Sequence, residues 1–191
     1  MGIAERKTRA RADRQIRIVA AARALAERES WGAVTIRRLA DEIEHSQPVL
    51  YSHFASRDAI VGAVALEGFA ELGPLLRAAA GSAASRAALE AVARAYLDFA
   101  RAQPALYEAM FVLPTGLAFA TSDTPLALSA TFDALAAVVE PFCADRDTAT
   151  ETVWAALHGL AALERAGRVR ERASAARLAA LVAAVAGPPE G

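Results

Sequence analysis

Between Gln47 and His53 the chain carries an amide, a phenol, a hydroxyl and an imidazole (Gln47, Tyr51, Ser52 and His53) beside the apolar pair Pro48–Val49. These are side-chain types that read double-stranded DNA. Gln pairs with the adenine edge, apolar groups meet the thymine methyl, and Tyr and His hold backbone oxygens. A bland reading stays open beside this one, in which the same residues form a polar helix turn on a helical bundle. Catalysis has little footing. His45, His53 and His158 fall in separate elements, and no His-Glu-x-x-His, Gly-x-Ser-x-Gly or phosphate-cradling glycine loop occurs. Cys143 is the sole cysteine, so it makes no internal disulfide and no zinc set, and it reads as a buried thiol in a reducing, cytoplasmic protein.

The elements that must position these residues are helical. Alanine fills 51 of 191 positions and 55% of the chain is hydrophobic, a composition that favours an all-α fold with a sizeable core. Asp13 to Arg28 is predicted as a first helix, with Ile16, Val19, Ala20 and Arg23 on one stripe, widened by Ile18, Ala22, Leu25 and Ala26. Ser30-Trp31-Gly32 ends it. Thr35 stands where an N-cap belongs, ahead of a helix Ile36 to Ile43 that buries Ile36, Leu39, Ala40 and Ile43. Ser46 caps the next helix, Gln47 to His53, in which Pro48 is tolerated in the first turn and Val49, Leu50 and Phe54 are the apolar anchors. Ser56 caps a long fourth helix towards Arg77. Two short helices joined by a tight turn form a helix-turn-helix pattern.

Charge is uneven along the chain. The net charge is −1, yet residues 1–23 hold seven basic side chains (Arg6, Lys7, Arg9, Arg11, Arg14, Arg17, Arg23) against Glu5 and Asp13. A basic arm on a neutral chain fits a polyanion met at one end, although a solvated terminus has the same look. No signal-peptide core follows the arm, and the uncharged stretch Ala109 to Ser122 is too short to span a bilayer. The first helix lacks the wide, bulky apolar face of a membrane-surface helix.

The runs Thr35-Ile36-Arg37-Arg38-Leu39-Ala40, Ser46-Gln47-Pro48-Val49-Leu50-Tyr51-Ser52-His53-Phe54 and Ser56-Arg57-Asp58-Ala59-Ile60 resemble the TetR family signature. Ile18-Val19-x-Ala21-Ala22-x-x-Leu25 is similar to that family's first helix. The resemblance covers residues 12–72, with the recognition motif at 35–54, and implies a helix-turn-helix DNA-binding domain. It also implies that Thr35, Arg37, Ser46, Gln47, Pro48, Val49, Tyr51, Ser52, His53 and Arg57 meet DNA. Gln47, Pro48 and Val49 would read bases, and Thr35, Tyr51, His53 and Arg57 would hold phosphates, with the arginines of the arm adding non-specific attraction. Two family glycines are replaced, one in the turn by Glu44 and one after the first helix by Glu29. Glu44 and its neighbour His45 must then supply the left-handed backbone that glycine usually gives.

The resemblance implies that residues 73–191 form a C-terminal ligand-binding and dimerisation domain. Gly73-Pro74 and Gly81-Ser82 predict breaks, followed by helices at Ala87–Ala102, Ala105–Phe111, Leu126–Phe142, Thr148–Gly167 and Ala173–Val185. Trp154-x-x-x-His158-Gly159 and the phrase Gln103 to Phe111 resemble a TetR subgroup named for its Trp, His and Gly. Trp154 and His158 are i and i+4, so they share a helix face; as core residues they would need no ligand. A mainly apolar or aromatic effector is expected against Tyr96, Phe99, Tyr107, Met110, Phe111, Phe119, Trp154 and His158, most of which also read as core. The resemblance further implies a homodimer on a palindromic operator, most simply as a ligand-released repressor, with no cofactor and no metal. The rival is a helical-bundle small-molecule-binding protein without specific DNA binding.

Overall fold

A computed structural model describes residues 2–82 and 85–187; the end of the C-terminal region, 188–191, lies outside it. Nine α-helices follow in order among the described residues: α1 Ile3–Glu29, α2 Ile36–Glu42, α3 Gln47–Tyr51, α4 Arg57–Ala80, α5 Arg86–Ala102, α6 Pro104–Phe111, α7 Leu126–Val139, α8 Arg146–Arg165 and α9 Ser174–Ala186. There are no strands among those residues, so the fold is all-α. Three short 3₁₀ turns, Trp31–Ala33, Glu140–Phe142 and Glu171–Ala173, fall at helix ends.

Several boundaries differ from the sequence expectation for identifiable reasons. α1 begins ten residues before Asp13, because Arg6 to Ala12 contain no helix breaker and alanine and arginine favour the helix. Its buried face is Ile18, Val19, Ala22, Leu25 and Ala26, whereas Ile16 is 61% exposed. The stripe assigned to Ile16 and Ala20 therefore lies one step round the helix from the true one. Gly73-Pro74 does not break α4. Pro74 leaves the Ala70 carbonyl without its intrahelical donor, and one residue earlier the Phe69 carbonyl accepts from the Thr131 hydroxyl at 3.0 Å. Gly73 is needed there for space, since a Cβ would sit 2.9 Å from Thr131 Oγ1. The helix ends instead at Gly81, with φ +63. By length and composition α4 could also cross a bilayer, and 56% of its most apolar window is buried in the fold.

The chain forms two compact units, residues 1–68 with 103–123, and residues 69–102 with 124–191. The segment 103–123, which the sequence groups with 73–191, belongs to the first unit. There α6 packs on α1. The Trp31 indole N–H donates to the Ala105 carbonyl at 2.7 Å, Leu106 N–H donates to Glu27 Oε1 at 3.2 Å, and Arg23 donates to the Gln103 side chain. Two small residues of α4 complete the fit: a Cβ on Gly62 would meet the Thr115 carbonyl oxygen at 2.8 Å, and one on Gly68 would meet the Met110 thioether.

In the second unit α5 supplies the central face, with Leu89, Val92, Ala93, Tyr96, Leu97 and Phe99 all buried as their spacing predicts. α8 adds Val153 and Leu157, and α9 adds Leu178 and Val182. One carboxylate ties three helices together. Glu164 of α8 accepts from Arg101 of α5 at 2.9 Å, from Arg177 of α9 at 2.6 Å and from the Ser174 hydroxyl at 2.8 Å. Burial pushes the Glu164 carboxyl up, but hydrogen bonds from Arg177, Ser174 and Arg101 together outweigh it and hold it below its ordinary value. A carboxyl lowered in this way stabilises the fold above its unfolded pKa, about 4.3, and loses that contribution as pH falls through the folded value. Glu164→Gln should therefore lower the urea midpoint at neutral pH. The gap between variant and wild type should close as pH falls below about 4. A gap that persists in acid would show that shape, and not charge, accounts for the loss.

Candidate nucleic-acid interface

The interface is built on α2, α3 and the helices that hold them. Thr35 has extended backbone, and its Oγ1 accepts from Arg38 N–H at 3.2 Å, the cap its position predicts. Leu39, Ala40 and Ile43 are buried, with Ile36 partly so. At the end of α2 the chain turns through Glu44, whose φ is +56. Glu44 alone takes the left-handed conformation; His45 does not, and its Nδ1 lies 2.7 Å from the Glu44 carbonyl. At the earlier substitution the strain falls on Ser30, φ +90, and not on Glu29, which is still helical. Glu29 instead receives both arms of the Arg38 guanidinium at 2.7 and 2.8 Å, and this hydrogen bonding holds its carboxyl below the usual range. Arg28 and Glu42 form a second link between α1 and α2 at 3.0 Å.

α3 is five residues long and held from one side. Leu50 is fully buried, while Gln47, Pro48 and Tyr51 are exposed, Tyr51 at 53%, and Val49 is half-buried. Ser46 occupies the N-cap position, but its side chain makes no capping bond, so its exposed hydroxyl is not spent on the helix. Ser52 differs: its hydroxyl donates to the Val49 carbonyl at 2.7 Å and closes the helix from within. The His53 ring is half-buried, its Nδ1 lies buried with no hydrogen-bond partner among the described residues, and burial, then the nearby Arg11, Arg14 and His45, push its pKa down. Burial and these neighbouring cations disfavour the charged imidazolium, so any phosphate contact from this ring rests on a neutral N–H donor. Arg57 also departs from expectation. Its Nε donates to the Val34 carbonyl at 2.8 Å and its Nη2 to the Trp31 carbonyl at 2.7 Å, while Asp58 lies 3.6 Å away. Those bonds turn the guanidinium inward, onto the turn after α1. Arg37 is exposed on α2, as is the Thr35 cap.

Sequence spacing alone does not reveal how α1 holds α2 and α3. Arg11 Nη2 donates to the Ser52 carbonyl at 2.9 Å, and Arg17 Nη2 reaches the Ile43 carbonyl at 3.5 Å. Each places a cation at the carboxyl end of a short helix, where unpaired carbonyls gather. The only available signal is the basic surplus of the arm, and composition cannot assign its members to partners.

The residues expected to meet an effector divide between the two units. Tyr96, Phe99, Trp154 and His158 lie in the second, where the Trp154 indole N–H donates to the Tyr96 hydroxyl at 3.1 Å. Burial, then Arg165, pushes the His158 pKa down. Tyr107, Met110, Phe111 and Phe119 lie in the first. Tyr107 and Phe111 stack at a tilt with ring centroids 4.8 Å apart, Met110 is buried, and Phe119 is 42% exposed on the loop after α6. Among the described residues no group of three His, Cys, Asp or Glu side chains could hold a metal ion.

A capped helix-turn-helix that exposes Gln47, Pro48 and Tyr51, in a chain that continues as a helical unit, defines a DNA-binding regulatory protein. Residues 18–64 match the family described as bacterial regulatory proteins, tetR family, and residues 89–186 match the tetracyclin repressor-like C-terminal domain. This chain belongs to the tetR family and is a transcriptional regulator. An uncharacterized HTH-type transcriptional regulator of Mycobacterium tuberculosis (strain ATCC 25618 / H37Rv), Rv0681, is 32% identical over 157 residues, 78% of this chain and 69% of that one. A protein of unknown function from Rhodococcus sp. RHA1 superposes with TM-score 0.72 and 25% identity over 90% of this chain and 95% of that one. The TetR family transcriptional regulator PfmR from Thermus thermophilus shares the fold, at TM-score 0.60 and 18% identity, over 91% and 99% of the two chains.

The strain at Glu44 has a measurable consequence. An L-residue pays about 1–2 kcal/mol in the left-handed region, where glycine pays almost nothing. Glu44→Gly should therefore raise stability by about 1 kcal/mol in urea unfolding, after the extra unfolded-state entropy of glycine is subtracted. A destabilised variant would mean that the Glu44 side chain holds the turn.

Proposed function

We propose that this regulator is a ligand-released repressor that binds a palindromic operator as a homodimer. Each subunit lays α3 in a major groove, with half-sites roughly 34–36 Å apart, one turn of the duplex. Gln47, Pro48 and Val49 face the base edges. Thr35, Arg37, Ser46 and Tyr51 hold the flanking phosphates. The observation that carries this reading is the composition of α3, which buries Leu50 as its anchor and leaves Gln47, Pro48 and Tyr51 in solvent. A helix kept only for packing has no use for that face.

Dimerisation through α8 and α9 is supported by what those helices leave uncovered. α9 exposes Ala175, Ala176, Ala179 and Ala180, and α8 exposes Ala155 and Leu163, with Ala166 exposed at its C-cap and open space beside Gly159. Small side chains of this kind let a second pair of helices approach closely. The effector is a mainly apolar or aromatic small molecule, and its candidate contacts are Tyr107, Met110, Phe111 and Phe119 in the first unit and Tyr96, Phe99, Trp154 and His158 in the second, each set taken within its own unit. Its effect on DNA is a population shift towards a spacing of the two α3 helices that no longer fits the operator. α6 gives the shift a handle. It carries Tyr107, Met110 and Phe111, and it is fastened to α1 through Trp31, Glu27 and Arg23. No catalytic role is assigned, and the protein acts in the cytoplasm without a cofactor.

The test is selection of bound duplexes from a random pool by the full-length protein, followed by sequencing. An inverted repeat is expected, with the half-site spacing given above. Gln47→Ala should lose roughly 1–3 kcal/mol at one base pair and little elsewhere. Equal loss on all sequences would remove Gln47 as a base reader. Failure of the folded, dimeric wild type to enrich any sequence would overturn the DNA-binding reading in favour of a small-molecule-binding helical protein.

A further inference from the structure

The basic arm is a helix, and its charges are sorted by face. With 3.6 residues per turn, Lys7, Arg11 and Arg14 stand at i, i+4 and i+7 and form one stripe, continued by the buried Ile18. Glu5, Arg6, Arg9 and Asp13 lie on the opposite side, where two acids balance two bases. The stripe has no acid of its own, and none of its three members makes an ion pair among the described residues. Its orientation is fixed by Arg11, which donates to the carbonyl of Ser52 at the end of α3. Arg14 is half-buried beside it and Lys7 stands exposed one turn further out. Arg11 and Arg14 also lie close enough to His53 to disfavour its protonation, so positive charge gathers at this end of the recognition helix. All of these residues belong to one compact unit, and the stripe lies before residue 18, where the match to the family's DNA-binding region starts.

We propose that the Lys7–Arg11–Arg14 stripe of α1 is a second DNA-binding surface, which takes backbone phosphates outside the half-site that α3 reads. The partner is duplex DNA because the surface is a row of cations about one helical turn apart, roughly 6 Å, comparable to the spacing of phosphates along a strand. It also begins at the carboxyl end of the helix assigned to the major groove. The inference rests on the DNA-binding reading above and extends it: the arm is a rigid, one-sided contact, and not a diffuse cloud of charge.

The experiment is a salt titration of the full-length protein on a fluorescein-labelled random-sequence duplex several half-sites long, followed by anisotropy. Wild type is compared with Lys7→Ala/Arg14→Ala and with Arg6→Ala/Arg9→Ala, which removes the same charge from the opposite face. Each lost phosphate contact lowers the slope of log K against log salt by about 0.9. The stripe variant should therefore lose about 1.8, and the opposite-face variant less than half as much. Equal losses, or no loss in the stripe variant, would overturn the inference while leaving the DNA-binding reading intact. A wild type that binds no duplex overturns both. Circular dichroism checks that each variant folds. Lys7→Ala alone, at an exposed position, gives the same comparison for a single contact, about 0.9, should Arg14→Ala disturb packing.

Discussion

Trp31 is the point at which the first unit is joined. Its side chain is buried at 3% exposure, its indole N–H donates to the Ala105 carbonyl of α6, and its own carbonyl accepts from Arg57 at the start of α4. A buried indole needs a partner for its single donor, and a half-buried guanidinium needs acceptors for the donors it turns inward. Each requirement is met by a backbone carbonyl of another element. Arg57 takes the Val34 carbonyl as well, so the turn between α1 and α2 is clamped from α4. The position of α2, and through it that of α3, follows from this junction. A conservative change to Lys at 57 could not reproduce it, because a lysine lacks the planar fork that reaches two carbonyls at once.

That junction also explains why the turns around α2 tolerate strain. Ser30 and Glu44 both hold positive φ with ordinary side chains. Such residues persist only where the surroundings over-determine them. Around Ser30 the constraint comes from Trp31 and Arg57, and from the Glu29–Arg38 pair that bridges α1 and α2. Around Glu44 it comes from buried Leu39, Ala40 and Ile43 before the turn and Leu50 after it. The exposed ion pairs are individually weak; their contribution is to choose one orientation of α2 among those the buried side chains allow.

What could be read from the sequence is what is local. The Thr35 cap and the Ser56 cap of α4 are one-turn events between a hydroxyl and an amide three residues on, and both form. The α5 face is legible because a sustained 3.6-residue period allows one solution. What could not be read depends on residues far away in the chain. Gly73-Pro74 looks like a break, and becomes part of a helix because Thr131, 58 residues on, packs against it. Residues 103–123 follow α5 in sequence, yet they are held to α1 by Glu27, Arg23 and Trp31. Arg57 sits in a motif that invites a phosphate, and only the position of the Val34 and Trp31 carbonyls shows where its donors go. The same holds within the candidate site: Gln47, Pro48 and Tyr51 are exposed, whereas the Ser52 hydroxyl bonds back to the Val49 carbonyl and the His53 ring is half-buried.

The surplus of arginine at the N-terminus shows how a single composition can serve two ends. The carboxyl ends of α2 and α3 each leave carbonyls without intrahelical partners, and short helices cannot spare them. Arg17 and Arg11 meet those carbonyls from α1. The two lie on one continuous helix, so the spacing of the two short helices is copied into the spacing of two arginines. This gives a structural reason for α1 to remain helical through Arg11. Once that length of helix exists, every further basic residue on the same face is presented at the same side as the recognition helix. Arg11 and Arg17 are spent on those carbonyls, whereas among the described residues Lys7 and Arg14 make no comparable bond.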